Sequence, residues 1–125
     1  MTSRTSPAGK ERPGLASGFA ERKGRPILAI ETGSRSCSVT VYGGPGDVRA
    51  LEHENTDHGH ATMLMPMIER ARQKAGCAYG DFSRIAVAVG PGSFTGLRVG
   101  LAAALGIGLA AGIPVVGVSS FLTVA

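Results

Sequence analysis

The sequence predicts an α/β domain in which a mixed sheet carries packed helices, in the order β-β-β-α-β-α-β. Three observations lead there. Three short runs of apolar or alternating character follow one another between Pro26 and Glu54, separated by a few turn-forming residues. A helical period comes next. Beyond it, two unbroken apolar runs flank a long apolar segment, the layout of a strand–helix–strand unit.

"PILAIET" (26–32) is a proline-led apolar run, fit for a buried strand. Gly33 and Ser34 supply a turn, and "CSVTVY" (37–42) alternates with a β-branched bias. "GGPG" (43–46) forces a second turn before "DVRALEHE" (47–54), a weaker alternation suited to a more exposed strand. Strands joined so closely form an antiparallel meander. Leu64, Met67, Ile68, Ala71 and Ala75 then share one helical face, opposite Glu69, Arg70, Arg72 and Lys74. Pro66 inside this pattern predicts a helix start or a kink, and Gly76 a stop. "IAVAV" (85–89) and "IPVVGV" (113–118) are buried strands on either side of a helix over 93–111, so they should lie parallel. We expect three layers with the last crossover cut off, and Ser119 or Ser120 placed to cap a further helix.

The formal net charge of +4 is not spread over this domain. Six basic residues (Arg4, Lys10, Arg12, Arg22, Lys23, Arg25) and only two acidic ones lie in residues 1–25, which accounts for all of it. Residues 26–125 are neutral and show no basic face for RNA. The first 25 residues, rich in Gly, Pro, Ser and Arg, are expected to be a disordered basic extension. They lack the apolar core of a secretory signal, and Pro7 and Pro13 interrupt the amphipathic helix that a transit peptide needs. Cys37 and Cys77 form no Cys-x-x-Cys unit, which suits a reducing cytoplasm.

The densest signal is "GPGSFTGLRVG" (90–100). It is neither a P-loop, which needs a lysine after the second glycine, nor a Rossmann loop, because Thr95 stands where the third glycine belongs. A tight strand-to-helix entry made by Gly90, Pro91, Gly92, Ser93 and Thr95 is the favoured reading. Residues 99–125 carry no charge, but Gly112 and Pro114 break the segment too early for a membrane span. Within the helix, Gly92, Gly96, Gly100, Ala104, Gly108 and Gly112 recur every four residues. Such a ridge invites close approach of another backbone. It belongs either to this chain's own sheet and first helix or, in the sharper version, to another subunit. In that version Leu64, Met67, Ile68, Ala71, Gly96, Gly100, Ala104 and Gly108 form the subunit interface. His58 and His60 are expected to be solvated near a helix start, with no set of ligands to hold a metal. Residues 31–34 (Glu31, Thr32, Gly33, Ser34) occupy the place where actin-like and sugar-kinase-like folds hold magnesium and phosphate.

Three segments carry a family resemblance: "ILAIETGSRSCSVTVY" (27–42), "HATMLMPMI" (60–68) and "GPGSFTGLRVGLAAALGIGLAAGIPVVGVSSF" (90–121). They resemble the bacterial TsaB (YeaZ) family, subunits of the system that installs threonylcarbamoyl on the tRNA adenosine beside the anticodon. The resemblance covers residues 26–125. It implies an actin-like, RNase H-like (ASKHA) fold, of which this chain holds the N-terminal lobe while the second lobe is absent. It implies a non-catalytic dimerisation or scaffold role, with catalysis in a TsaD-type partner and an associated TsaE-type ATPase. ATP and a metal ion are then bound by those partners and not by this chain alone. A homodimer is the alternative assembly, and tRNA is met only through the complex, in the cytoplasm and away from membranes. The His-x3-His pair that binds metal in TsaD is missing here. Glu31 replaces the family's usual Asp, which makes residues 31–34 a degenerate phosphate loop. The older glycoprotease label finds no nucleophile–base pair in the sequence. The alternative function, from a different class, is an actin-like nucleotide-binding enzyme fragment, a kinase, phosphatase or glycoprotease-like protein.

Overall fold

The computed structural model describes residues 24–33, 35–56, 60–90 and 94–119. The expectation for the basic extension therefore falls almost wholly outside the described residues, as do Ser34, His58, Pro91, Gly92, Ser93 and Ser120. Five strands form one sheet: β1 (Ile27–Glu31), β2 (Ser36–Gly44), β3 (Asp47–Asn55), β4 (Arg84–Gly90) and β5 (Val115–Ser119). Their order across the sheet is β3-β2-β1-β4-β5. The meander β1–β2–β3 is antiparallel, and β4 and β5 add to β1 in parallel, as the strand spacing predicts. Two helices, α1 (His60–Ala75) and α2 (Phe94–Ala111), fill the crossovers. A short 3-10 turn (Tyr79–Asp81) that periodicity did not reveal leads from α1 toward β4.

Alternation along the strands decides where the core lies. Leu28 and Ile30 on β1, Cys37, Val39 and Val41 on β2, and Ile85 and Val87 on β4 are buried and point to one face. Leu64, Met67, Ile68 and Ala71 of α1 and Ala104 and Ile107 of α2 join the same cluster. Both helices therefore cover one face of the sheet, and the described residues form two layers where three were expected. The other face carries Thr40, Tyr42 and Leu51, the last of these exposed. A parallel connection of fixed hand explains why α2 joins α1 on one side.

Helix boundaries follow local chemistry. Gly76 has φ +70° and ends α1, with the Cys77 N–H donating to the Arg72 carbonyl and the Gly76 N–H to the Gln73 carbonyl. Gly112 (φ +71°) ends α2 in the same way, with the Ile113 N–H donating to the Gly108 carbonyl. Pro66 neither starts nor delimits α1, which begins six residues earlier. Its missing N–H removes one intrahelical bond near the start, and the ring lies on the exposed side. Among the described residues no helix is long and apolar enough to cross a membrane.

Candidate docking surface

The glycine row of α2 faces the chain's own sheet. A side chain at Gly96 would run into the Thr32 carbonyl, and one at Gly100 would lie 2.5 Å from Thr32 Oγ1 and 3.5 Å from Ile30 and Val87. One at Gly108 would meet Val115 and the Ile113 carbonyl. Ala104, between them, is fully buried. Glycine is used here so that α2 can settle closely on β1, β4 and β5.

This corrects the subunit-interface expectation for all eight residues. Gly96, Gly100, Ala104 and Gly108 pack on the sheet, and Leu64, Met67, Ile68 and Ala71 belong to the core under α1. Periodicity located the buried faces correctly; it did not say that the cover is the same chain.

The surface that remains is on the opposite side of α2. Leu101, Leu105 and Leu109 follow at four-residue intervals and are 38 %, 52 % and 88 % exposed. Arg98 is the one charged residue of that helix. A groove of about 630 Å³ runs between α1 and α2, floored by Ala102, Ala103, Gly106, Ile107 and Ala110. Met65, Glu69 and Tyr79 complete its lining. Small residues make the hollow and leucines beside it make the ridge, so one surface offers both halves of a helix-packing contact. The sequence contained the signal: α2 is apolar all round, more than contact with one sheet requires.

Two polar clusters hold this surface in place. Glu52 of β3 lies on the buried face, where it accepts from Arg70 Nε at 3.0 Å and from Lys74 Nζ. These bonds, Lys74 first, hold its carboxyl below the ordinary value of 4.5. They tie α1 to the edge strand. Beside the groove, Arg72 donates through Nε and Nη2 to the lining residue Glu69 at Oε1, at 2.9 and 2.6 Å. Its Nη1 donates to the Cys77 carbonyl, and its guanidinium stacks over Tyr79 at 5.1 Å. Burial raises the Tyr79 phenol above its ordinary value, and Glu69's charge adds to this.

At the end of β1 the described residues pack against the start of α2. Thr32 is buried and its hydroxyl donates to the Gly96 carbonyl at 2.5 Å. A side chain at Gly33 would lie 2.7 Å from Leu97, while the Gly33 N–H is turned toward Glu31 Oε2 at 3.4 Å. The Thr32 hydroxyl and the Gly33 N–H thus both face acceptors of the same chain. Gly90 has φ +142°, the glycine-favouring backbone expected of a tight entry, and Thr95 is exposed in the first turn of α2. His60 is not solvated as expected; it is buried at the start of α1, its Nε2 3.3 Å from the Ser36 carbonyl. Cys37 is core, and burial pushes its thiol up to about 11. Among the described residues no three His, Cys, Asp or Glu side chains converge to hold a metal.

With this geometry in hand, comparison with known proteins gives a consistent result. The family described as TsaD, tRNA N6-adenosine threonylcarbamoyltransferase, matches residues 52–125. The tRNA threonylcarbamoyladenosine biosynthesis protein TsaB of Escherichia coli is 37 % identical over 99 residues, covering 79 % of this chain and 42 % of that protein. A tRNA N6-adenosine threonylcarbamoyltransferase of Erythrobacter litoralis is 38 % identical over 95 residues, 76 % of this chain and 26 % of that protein. In three dimensions the chain resembles YeaZ from Pseudomonas aeruginosa, with a TM-score of 0.70 at 33 % identity over 76 % of this chain and 44 % of that one. It spans less than half the length of these TsaB and YeaZ relatives. The sheet order, the helix placement and the sequence matches agree: the chain belongs to the TsaB (YeaZ) family and carries, over residues 52–125, the domain shared with the TsaD transferases.

Proposed function

We propose that this chain is a non-catalytic scaffold in the system that adds threonylcarbamoyl to tRNA adenosine, and that its outward α1–α2 surface docks a TsaD-type subunit. The observation that carries the proposal is the exposed apolar side of α2, where Leu105 and Leu109 stand in water beside a groove of small residues. Contiguous apolar surface of this kind marks a protein contact. Catalysis, ATP and metal binding then belong to the TsaD-type partner and to a TsaE-type ATPase, and tRNA is met through the complex. The internal use of Thr32 and Gly33 supports assigning the nucleotide elsewhere. Self-association through the same surface is the assembly expected when the partner is absent.

Leu105→Asp tests this. A buried carboxylate without a partner is costly in an interface, so binding to the host's TsaD-type transferase should fall by roughly a hundredfold or more while the circular dichroism spectrum is kept. Unchanged binding would place the contact elsewhere on the chain.

A further inference from the structure

We infer that β5 is an open sheet edge that pairs with β5 of a second copy of this chain, the two strands running antiparallel about Gly117. The inference does not rest on the α1–α2 docking surface, whose groove lies on the other flank of α2.

The sheet has two edge strands, β3 and β5, and they are built differently. β3 carries Asp47, Arg49, Glu52, His53 and Glu54, and its register against β2 shifts twice. Charge and irregularity of this kind keep a foreign strand from adding to an edge. β5 reads VVGVS, with no charge and no proline, and none of its five residues is buried. The Ile85 N–H donates to the Pro114 carbonyl, in the register that pairs Ile85 with Val115. In a parallel ladder this phase turns the backbone groups of Val116 and Val118 toward β4. Those of Val115 and Gly117 are left pointing to the open edge. An added extended strand is what satisfies such a row.

The side chains around this edge are short of cover as well. Val89 leans from β4 over Gly117, where a Cβ would stand 2.9 Å from its Cγ1, yet Val89 is 51 % exposed. Gly108 of α2 sits over Val115, and Leu101, two turns earlier on the same side of the helix, is only partly covered. On the other face of β5, Val116 is 39 % exposed.

Symmetry names the occupant. A two-fold axis brings each group to its own copy, so a charged edge would repel itself; residues 99–119 carry no charge. About Gly117 the pairing sets Val116 against Val118 of the second copy, and Val118 against its Val116. These are β-branched cross-strand pairs, which favour a sheet. Glycine at the axis keeps the centre clear, so the two Val89 side chains close over the paired strands. A five-residue pairing is a small contact, so a reversible dimer is expected rather than an obligate one.

Sedimentation of the full chain over a range of concentrations should show that dimer. Val116→Lys should raise its dissociation constant by roughly tenfold or more while the unfolding midpoint stays near the parent's. Register is read by cross-linking. Val116→Cys chains mixed with Val118→Cys chains should form disulfide-linked dimers, since the paired Cα atoms would lie about 4.5 Å apart. Val116→Cys alone should not, because the axis places its two copies roughly 8 Å apart. Both natural cysteines are buried and stay out of this reaction. A chain that remains monomeric at every concentration would overturn the inference. So would equal cross-linking of Val116→Cys with itself, or a dimer that ignores Val116→Lys and is lost in Leu105→Asp, which would place self-association on the α1–α2 surface. A monomer whose Val115 and Gly117 amides resist hydrogen exchange would also overturn it, since the chain itself would then cover the edge. Failure of Leu105→Asp to weaken binding of the TsaD-type transferase would count against the docking reading and leave this one standing.

Discussion

The two sides of α2 are both apolar and serve opposite ends. Toward the sheet, Gly96, Gly100, Ala104 and Gly108 bring the helix axis down onto β1, β4 and β5 until a methyl group would collide. Toward solvent, Leu109 stands clear of the chain, Leu105 half so, and Leu101 is partly covered. Interior glycines each cost about 1 kcal/mol in helix propensity, so the inner side needs compensation from close packing. The outer side carries one interior glycine, Gly106, with nothing among the described residues packed over it. Small residues in a row thus reveal where a backbone comes close, whereas large ones left over reveal where something else must come.

The sharpest way to break this comparison is to fill the inner side. Gly100→Leu should destabilise the domain by about 3 kcal/mol or more, because the new side chain would overlap Thr32, Ile30 and Val87, none of which lies at a free surface. Chemical denaturation followed by circular dichroism measures it. A variant that stays folded with unchanged stability would mean that α2 can lift from the sheet, and the row would become available to a partner after all.

A smaller cut at the same contact is Thr32→Val, which keeps the shape and removes the hydroxyl. The Gly96 carbonyl then loses a buried donor, and stability should drop by about 1 kcal/mol. No change would show that the hydroxyl does not help to hold α2 against the end of β1.

Much of this fold was legible beforehand because the periods were clean. Alternation in residues 37–42 and the continuous runs at 85–89 and 113–118 mark strands, and the observed strands contain or overlap each of them, although β5, expected to be buried, is an edge strand whose Val116 is 39 % exposed. The four-residue row of α2 was equally legible as a contact. Its owner was not, since a period records burial and carries no information on whether the covering chain is the same one. The start of α1 was hidden for a local reason: Pro66 suggests a boundary, yet one lost bond early in a helix is tolerated when Leu64, Met67 and Ile68 bury fully. Glu52 could not be found either. A carboxylate on a predicted exposed strand becomes a buried tie only once α1 brings Arg70 and Lys74 over it.

That tie predicts a pH dependence. Hydrogen bonds from Lys74 and Arg70 lower the carboxyl's value in the folded chain, so the folded state binds the proton less readily than the unfolded one. The stabilisation is complete above the ordinary value of 4.5 and is lost as pH falls through the lower folded value. Glu52→Gln should therefore flatten the acid limb of the stability–pH curve, measured by urea midpoints between neutral pH and the onset of acid unfolding. An acid limb identical to the parent's would show that the tie contributes nothing to holding α1 on the sheet.

The smallest effect is expected on the outer side, and it is the complement of the first. Leu109 is 88 % exposed, so burial of its side chain contributes little to folding. Leu109→Ser should leave the denaturation midpoint within about 0.5 kcal/mol of the parent, the ordinary range for a surface change. Helix propensity works slightly against serine, so a small loss is compatible with this expectation. The same substitution removes the most exposed member of the leucine ridge, and concentration-dependent self-association, followed by sedimentation, should weaken. A stability loss of several kcal/mol would mean that Leu109 is covered in the folded monomer. The two sides of α2 would then both be interior, and the docking surface would have to be sought elsewhere on the chain.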